Sequence, residues 1–328
     1  MSFPKSTVYF FSNERIYIYL IQRTTDNSNS SVHICIRLEY CYIHYNSEVY
    51  INNCVRNFDR VYIKLTKYLH DPTKENIHHM RTSLRRLEAT YQSSPRGFVK
   101  KNVKAFAHRG KKLFRINSRI RDIDIILEKL TNEGKMADLE LELVESPLKQ
   151  ERQDKLEEAR AAALDLEKII VSNIYSPNNI TKKFKNKARK RILKIIKKLK
   201  TKIESKIPSV ISDKSKVSEL HEVRKDTKKL RYVIELLLIS KESGETDKRV
   251  KQIDVTNLIY KDIHRILAYL EKIQEMLGDI HDYDVTLDYL KKKQKSDKLT
   301  ITSTITNIQN IRNTKFDQFV DYVRSLTL

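Results

Sequence analysis

The sequence predicts an all-α protein from residue 57 onward, preceded by a short β-like or irregular N-terminal extension. Glycine and proline are scarce, at 5 and 6 of 328 residues, which argues against turn-rich β-barrels and sandwiches. Apolar residues make up 40% of the chain and recur at helical steps of three and four over most of its length. A basic motif also occurs twice, which indicates two related structural units.

Residues 1–56 differ from the rest of the chain in charge and composition. They hold five Lys or Arg residues against four Asp or Glu residues, so +21 of the formal net charge of +22 lies in 57–328. The segment also contains all three cysteines and alternating residues such as those of 16–19. This pattern predicts two or three strands around a polar turn at 24–31. An extension packed on the main domain and a start codon placed too far upstream both fit it, and we assign it no function.

Helical periodicity begins at Phe58, and two prolines predict breaks in it, at the Asp-Pro pair 71–72 and the Ser-Pro pair 94–95. One helix is expected over 99–130, where apolar residues share one face and lysines and arginines share the opposite face. Another is expected over 136–168, where ten acidic residues outnumber five basic ones. These elements complete the first half of the predicted helical domain.

The second half of the chain predicts at least four more helices. After the Ser-Pro pair at 176–177, residues 182–202 contain twelve Lys or Arg residues and no acid. Apolar residues keep helical spacing through this run, so we interpret it as a helix with a solvated lysine face. Further helices are expected over about 218–240 and 255–277, with one or two more after Asp279.

The composition excludes several classes of site. Five scattered glycines cannot supply a GxGxxG loop or a P-loop. No apolar run approaches the ~18 residues of a membrane span, and no leader-like segment opens the chain, so we expect an intracellular protein without membrane contact. The cysteines lack a CxxC spacing, as expected in a reducing compartment. No Ser-His-Asp or Cys-His nucleophile set can be assembled, so we expect no catalytic residue. We also expect no metal and no cofactor.

The repeated motif has the form HxxRxxx[RK][RK]L, and its copies begin at His78 and His221, 143 residues apart. The histidine, the arginine and a later base fall at i, i+3 and i+7, which form one stripe of a helix. The apolar stripe lies one residue earlier, about 100° around the helix, so the basic stripe borders the core. Arginine at a core border needs an anionic partner. Carboxylates of 136–168 could supply it internally, or an external polyanion could.

These residues resemble the CHAD domain, the conserved histidine α-helical domain that binds inorganic polyphosphate. The family motif HxxRxxxRRLR matches the copy at His78, and HxxRKxxKxLRY matches the copy at His221. The RDxD element matches at Arg121, and the LGxxxD element matches at 277–282. The four matches stand in the family's order and span 78–285.

The resemblance implies two helical bundles of about four helices each, related by an internal pseudo-two-fold repeat. The first repeat would span about 57–175 and the second about 176–328. A basic central groove between them would bind a linear polyphosphate chain without catalysis. Inorganic polyphosphate is then the expected partner, and the cytoplasm, including polyphosphate granules, the expected location. An association with polyphosphate-metabolising enzymes fits the same function.

The expected phosphate contacts lie on both repeats, because arginine offers a planar fork to phosphate oxygens and lysine a mobile charge. Primary contacts are expected from Arg81, Arg85, Arg86, Arg224, Lys225, Lys228, Lys229 and Arg231. Secondary contacts are expected from Lys101, Lys104, Lys111, Arg115 and Arg119. His78 and His221 are expected either to donate to phosphate or to fix neighbouring arginines, and a purely structural role stays open for both.

Three positions depart from the family pattern. Glu88 stands where the first motif normally continues with a base, which places an acid in the predicted stripe. Asn117 replaces the glycine that usually precedes the RDxD element, a change that affects close helix packing at most. His281 stands where asparagine is common.

Nucleic-acid binding is the first alternative function, because a pI near 9.7 and basic helices are typical of nucleic-acid-binding proteins. Single-strand binders interleave aromatic residues with bases so that nucleobases can stack. The basic stripes here lack that interleaving. Binding to an RNA or DNA backbone is therefore expected only as a weaker side reaction.

A helical metal-dependent phosphohydrolase is the second alternative. Such enzymes use a His…His-Asp…Asp ligand set, which the His281-Asp282 pair with His78 upstream resembles. A metal site needs neutral imidazoles and converging carboxylates, and the cationic surroundings here oppose metal entry. The aspartates of the two DxD elements could instead orient arginines across helix contacts. These aspartates are Asp122, Asp124, Asp282 and Asp284.

Overall fold

Eight helices and two strands form the described part of the chain. The computed structural model describes residues 15–20, 38–44, 46–134, 136–169, 180–238, 253–297 and 299–325. The strands are β1 (Arg15–Leu20) and β2 (Leu38–His44). The helices are α1 (Ser47–His70), α2 (Lys74–Ser93), α3 (Lys101–Glu133), α4 (Asp138–Glu167), α5 (Lys182–Ser212), α6 (Val217–Glu235), α7 (Ile253–Asp297) and α8 (Thr302–Ser325). The predicted all-α class of the main domain is confirmed.

The helices pack as two bundles of four, as the family resemblance implied. Helix α1 packs on α2, α2 on α3, α3 on α4, and α4 returns to α1. The second half repeats the order, with α5 on α6, α6 on α7 and α7 on α8. Between the halves, α2 contacts α6 and α3 contacts α7. Equivalent helices of the two repeats therefore face each other, as an approximate two-fold axis requires.

A large cluster of buried apolar residues draws members from all eight helices, so the two bundles share one core. A second cluster lies where the distal parts of α3, α4, α7 and α8 meet and includes Ile126, Val144, Leu287 and Ile308. Burial of this apolar surface supplies the main driving force that holds the bundles together.

The breaks predicted at 71–72 and 94–95 are confirmed, because α1 ends at His70 and α2 at Ser93. The Thr73 side chain accepts a hydrogen bond from the Asn76 backbone N–H at 3.1 Å and caps the first turn of α2.

Helix α1 begins at Ser47, ahead of Phe58, the predicted start of helical structure. The Asn46 side chain accepts hydrogen bonds from the backbone N–H groups of Glu48 and Val49, which caps the helix at this earlier point. Tyr50 and Cys54 are then fully buried in the core. Their apolar contacts extend the helix into the segment that the sequence assigned to the extension.

The predicted helix end at Leu277 is wrong, because α7 runs without interruption from Ile253 to Asp297. Gly278 lies inside the helix, where a glycine costs about 1 kcal/mol relative to alanine. Ile273, Leu277 and Ile280 are all buried on one face around it, and that burial outweighs the cost.

The two strands agree with the β-like prediction for the extension. β1 and β2 are antiparallel, with Arg15 opposite His44 and Ile18 opposite Cys41. The predicted turn at 24–31, the Ser-Pro pair at 176–177 and residues 239–240 lie outside the described residues. In the described parts of the chain, no helix is long and apolar enough to cross a bilayer.

Candidate functional site

A groove of about 620 Å³ lies between the two repeats, with walls from α2, α3, α5, α6 and α7. Its lining is strongly cationic. Two histidines, His221 and His281, and three carboxylates, Glu88, Asp122 and Asp226, also line it. The carboxylates face eight lysines and arginines: Arg81, Arg85, Lys198, Lys202, Arg224, Lys225, Lys228 and Lys229. Such a groove favours an anionic ligand that can contact several cations at once.

Arg81 on α2 and Arg224 on α6 occupy equivalent positions of the repeat and meet in this groove. The Nε atom of each is buried and has no hydrogen-bond partner among the described residues. Neither side chain forms an ion pair within the described part of the chain. Burial lowers the pKa of Arg81 to about 10, and the neighbouring Arg85 adds to the shift. Burial also lowers the pKa of Arg224, against an opposing effect of Asp282. Unsatisfied buried guanidinium groups of this kind are suited to bind an anion.

Lys228 lies one helical turn beyond Arg224 on α6. Burial and the charges of Arg224, Arg85 and Arg81 lower its pKa to about 6. Burial, with the repulsion of these arginines added to it, therefore favours the neutral form of Lys228. An anion placed among them would reverse this effect.

His221 and His281 form a pair on facing helices of the second bundle. Their Nδ1 atoms lie 3.2 Å apart, so one ring donates to the other, and the ring centroids are 4.5 Å apart. Burial lowers the pKa of His221 to about 4, with further effects of Lys225 and Arg224. Burial and Arg224 also lower the pKa of His281. Two neutral imidazoles can share this hydrogen bond, whereas two imidazolium rings could not.

The first aspartates of the two DxD elements, Asp122 and Asp282, partly offset the positive charge of the groove. Burial raises the pKa of Asp122, and nearby Arg81 opposes the shift. Burial raises the pKa of Asp282 to about 6, with Arg224 opposing it. Neither carboxylate lies within ion-pair distance of a cation among the described residues. They therefore reduce the positive charge of the groove without forming ion pairs with its arginines.

The second aspartates of the two DxD elements do orient arginines, as the sequence suggested. Arg152 Nε on α4 donates to Asp124 Oδ1 on α3 at 2.7 Å. Arg312 Nε on α8 donates to Asp284 Oδ1 on α7 at 2.9 Å. The two pairs have the same sequence separation of 28 residues, so each repeat joins its two long helices in the same way.

Several predicted contacts lie outside the groove because carboxylates hold them elsewhere. Arg86 Nε donates to Glu235 at 2.8 Å, and Arg231 NH1 donates to Glu271 at 2.7 Å while its Nε lies 3.3 Å from Glu235. Arg119 makes two hydrogen bonds of 2.6 Å to Glu151 of the acidic helix α4. Among the described residues, the carboxylates of α4 therefore pair with basic residues of α3 and of α4 itself, and none pairs with the repeated stripes of α2 and α6.

The remaining predicted contacts also lie outside the groove lining. Lys104 and Lys111 line a side cavity of about 230 Å³ between α2 and α3. Lys101 and Arg115 are exposed on α3 away from both cavities. His78 is exposed on α2 outside the groove lining, and partial desolvation together with Arg81 lowers its pKa. Of the predicted set, the groove brings together Arg81, Arg85, His221, Arg224, Lys225, Lys228 and Lys229.

Among the lysines, arginines and histidines of the groove lining, the sequence prediction missed three, namely Lys198, Lys202 and His281. The lysine-rich run predicts a solvated face for Lys198 and Lys202. Their position beside Ile195 and Leu199 at the edge of the apolar stripe of α5 is the signal that could have found them. His281 entered the prediction only as a departure from the family pattern and as a candidate metal ligand. In the described residues, no three His, Cys, Asp or Glu side chains converge as a metal site would require.

Asn117 has a structural role that the sequence did not suggest. It is fully buried on α3, and its Oδ1 accepts a hydrogen bond from the Tyr68 hydroxyl of α1 at 2.8 Å. Burial raises the pKa of Tyr68 to about 12, so the hydroxyl stays protonated as the donor. The asparagine thereby links two helices of the first bundle.

Comparison with known proteins agrees with this architecture. The family model described as the CHAD domain matches residues 58–291. The chain is also similar to the crystal structure of the CHAD domain from the plant Ricinus communis, with a TM-score of 0.51 and 16% sequence identity. That similarity covers 85% of this chain and 90% of that chain and concerns the fold. No curated protein matches the sequence. Because the family model spans well over half of the chain and the fold agrees with it, this protein belongs to the CHAD domain family.

Proposed function

We propose that the groove binds inorganic polyphosphate without catalysing its turnover. The proposal rests on the pair of repeat-equivalent arginines, Arg81 and Arg224, which line one groove. Their buried Nε atoms have no hydrogen-bond partner in the described part of the chain. A buried charge of this kind is costly unless an anion accompanies it. Phosphate oxygens accept from guanidinium groups in the geometry that arginine offers.

A linear polyanion fits the groove better than a single small anion does. Its cations come from three helices, with Arg85 on α2, Lys202 on α5 and Lys229 on α6 among them. A repeating chain of phosphates can contact all three helices at once. After the first contact, the others form within one complex, which raises the overall affinity. Affinity is therefore expected to increase with chain length.

Arginines already lie against the aromatic rings beside the groove, which favours inorganic polyphosphate over nucleic acid as the ligand. The Arg85 guanidinium lies 5.1 Å from the ring centroid of Phe114. Arg86 and Arg231 lie 5.5 and 5.2 Å from the ring centroid of Tyr232. A nucleobase would have to displace these cations before it could stack.

A non-catalytic role is supported by the charges around the groove histidines. His221 and His281 have neighbouring cations in Arg224 and Lys228, which would repel a divalent metal ion. We therefore expect no phosphate release from polyphosphate or from nucleoside triphosphates with Mg²⁺ or Mn²⁺. Steady phosphate release that a His281→Ala variant loses would contradict the proposal and favour a phosphohydrolase.

Titration calorimetry with inorganic tripolyphosphate tests the binding proposal directly. Arg81→Gln and Arg224→Gln should each weaken binding by about tenfold or more, because each removes a charge-assisted contact. Arg160→Gln is the matched control, since Arg160 is an exposed arginine of α4 outside the groove. Equal weakening in all three variants would show that net charge alone governs binding.

Competition with RNA separates the two polyanion classes. At equal phosphate concentration, long polyphosphate should displace single-stranded RNA, and binding of both should weaken with salt through counterion release. Equal or tighter binding of RNA would overturn the choice of polyphosphate.

A further inference from the structure

We infer that one face of α5 is a second binding surface, which holds the part of a long polyphosphate chain that extends out of the groove. This surface, the α5 stripe, consists of Lys187, Lys190, Arg191, Lys194 and Lys198. Lys187, Arg191, Lys194 and Lys198 follow one another at steps of four, three and four residues, which keeps them on one side of the helix, and Lys190 lies beside them. The stripe extends for roughly 16 Å at 1.5 Å per residue.

In the part of the chain that the structure describes, the α5 stripe lacks the carboxylate partners that other basic residues have. On α4, Lys149, Lys155 and Lys168 each pair with an acid on their own helix or at its end. Among the described residues, no member of the α5 stripe forms an ion pair. Lys187, Lys190, Lys194 and Lys198 are exposed, so their charges face solvent as a block. Like charges at these spacings repel one another, and an anion lying along them would relieve that repulsion.

The stripe is continuous with the groove. Lys198 belongs to both, since it lines the groove wall contributed by α5. Arg191 Nε donates to the backbone carbonyl of Gln92 on α2 at 2.6 Å, and Gln92 also lines the groove. A chain that leaves the groove past Gln92 therefore meets Arg191 and Lys194 next.

The charge pattern favours a long polyphosphate as the occupant, an inference that rests on the proposed function of the groove. A short chain that fits inside the groove would not reach Lys190 or Lys194, which do not line it. A chain of many phosphates would contact both surfaces, and the second contact would be intramolecular. The α5 stripe would thus make the protein discriminate long chains from short ones.

The test compares a stripe variant with a charge-matched control. Lys190→Gln/Lys194→Gln removes two exposed lysines four residues apart on α5. Lys291→Gln/Lys295→Gln removes two exposed lysines with the same spacing on α7, about 15 Å or more along the helix from His281. Both variants lower the net charge by the same amount. The ligands are inorganic tripolyphosphate and polyphosphate of about a hundred phosphates, titrated at several salt concentrations.

The stripe variant should bind long polyphosphate roughly tenfold more weakly than the control at low salt. The log–log slope of its affinity against salt should fall by about 1.4, because each phosphate that a cation neutralises on a flexible strand contributes about 0.7. Its affinity for tripolyphosphate should stay within about twofold of wild type. Long-chain affinity equal to that of the control would overturn the inference, and so would an equal weakening of tripolyphosphate binding.

The experiment distinguishes failure of the α5 stripe inference from failure of the groove proposal. If tripolyphosphate fails to bind wild type, or binds Arg224→Gln equally well, the groove proposal fails regardless of the stripe. If the stripe variant keeps its affinity for long polyphosphate but loses affinity for single-stranded RNA or for vesicles of anionic phospholipid, the stripe serves that other polyanion and the inference is wrong.

Discussion

Lys228 shows how the groove changes the properties of a single residue. Burial and three arginines disfavour its charged ammonium and lower its pKa to about 6. A bound polyphosphate would favour the ammonium and move the pKa back toward its ordinary value near 10.5. The free groove then binds fewer protons than the occupied groove over the pH range between these two values.

Binding of tripolyphosphate should therefore take up about one proton between pH 7 and 9. By linkage, affinity should fall as pH rises through this range, by up to about tenfold per unit for one proton. Calorimetry in buffers of different ionisation enthalpy measures the uptake. Lys228→Arg is the control, since arginine stays charged throughout, and it should lose most of the pH dependence. A pH dependence unchanged in Lys228→Arg would show that another group takes up the proton.

Glu88 is an acidic residue whose reversal tests how far the ligand extends along the groove. It lines the groove, and its side chain accepts a hydrogen bond from Gln92 at 2.8 Å. Among the described residues it forms no ion pair with Arg85 or Arg121, the arginines that could neutralise it within the protein. Glu88→Arg should thus tighten tripolyphosphate binding by about tenfold with little change in melting temperature, because reversal changes two unit charges at a partly exposed site. Unchanged or weaker binding by a well-folded variant would show that the ligand does not approach position 88.

The residue of the second repeat that is equivalent to Glu88 is an arginine held in ion pairs. Arg231 lies 143 residues after Glu88 but pairs with Glu235 and Glu271 away from the groove. Arg231→Glu should accordingly lower the melting temperature by placing three carboxylates together. Weaker binding by a well-folded Arg231→Glu variant would show that this residue contacts the ligand after all.

At the scale of helices, the two buried ion pairs join the long helices of each repeat. Arg312 is 2% exposed where it pairs with Asp284, and Asp124 is 1% exposed where it pairs with Arg152. Each pair crosses between neighbouring helices, from α3 to α4 or from α7 to α8. Removal of one partner leaves an uncompensated buried charge, whereas removal of both does not.

Arg312→Met should destabilise the protein by about 3–5 kcal/mol, measured by urea unfolding, because Asp284 would remain buried and unpaired. The double variant Asp284→Leu/Arg312→Met should recover much of that stability. Lys292→Met, which removes one member of an exposed ion pair with Asp288 on the same helix, should cost under about 1 kcal/mol. Equal destabilisation of the single and double variants would show that the cost comes from packing instead of charge.

For the whole molecule, the net charge of +22 and the unpaired cations of the groove oppose the compact state. A ligand that binds only the folded protein raises stability by mass action, by about 2.7 kcal/mol at a free concentration of 100 Kd. Tripolyphosphate should thus raise the melting temperature by several degrees beyond sodium chloride of equal ionic strength. Equal effects of the two salts would indicate general screening and no specific groove binding.

Much of the fold could be predicted from the sequence because helix periodicity and proline breaks are local. The ends of α1 and α2, the acidic character of α4 and the basic character of α5 follow from neighbouring residues. The continuity of α7 through Gly278 could not be predicted, since it depends on burial against other helices. The early start of α1 depended likewise on the burial of Tyr50 and Cys54.

The sequence by itself determined the all-α class, the repeat and the identity of Arg81 and Arg224 as equivalent residues, because each follows from spacing along one helix. Only the tertiary structure decided which cations remain free. Arg86 and Arg231 carry the same motif as the groove arginines, yet Glu235 near the end of α6 holds both. The packing of α5 and α7 against the repeat helices also brought Lys198 and His281 into the groove. The physical reason is that a helix stripe specifies its own face, whereas its partners come from helices distant in sequence.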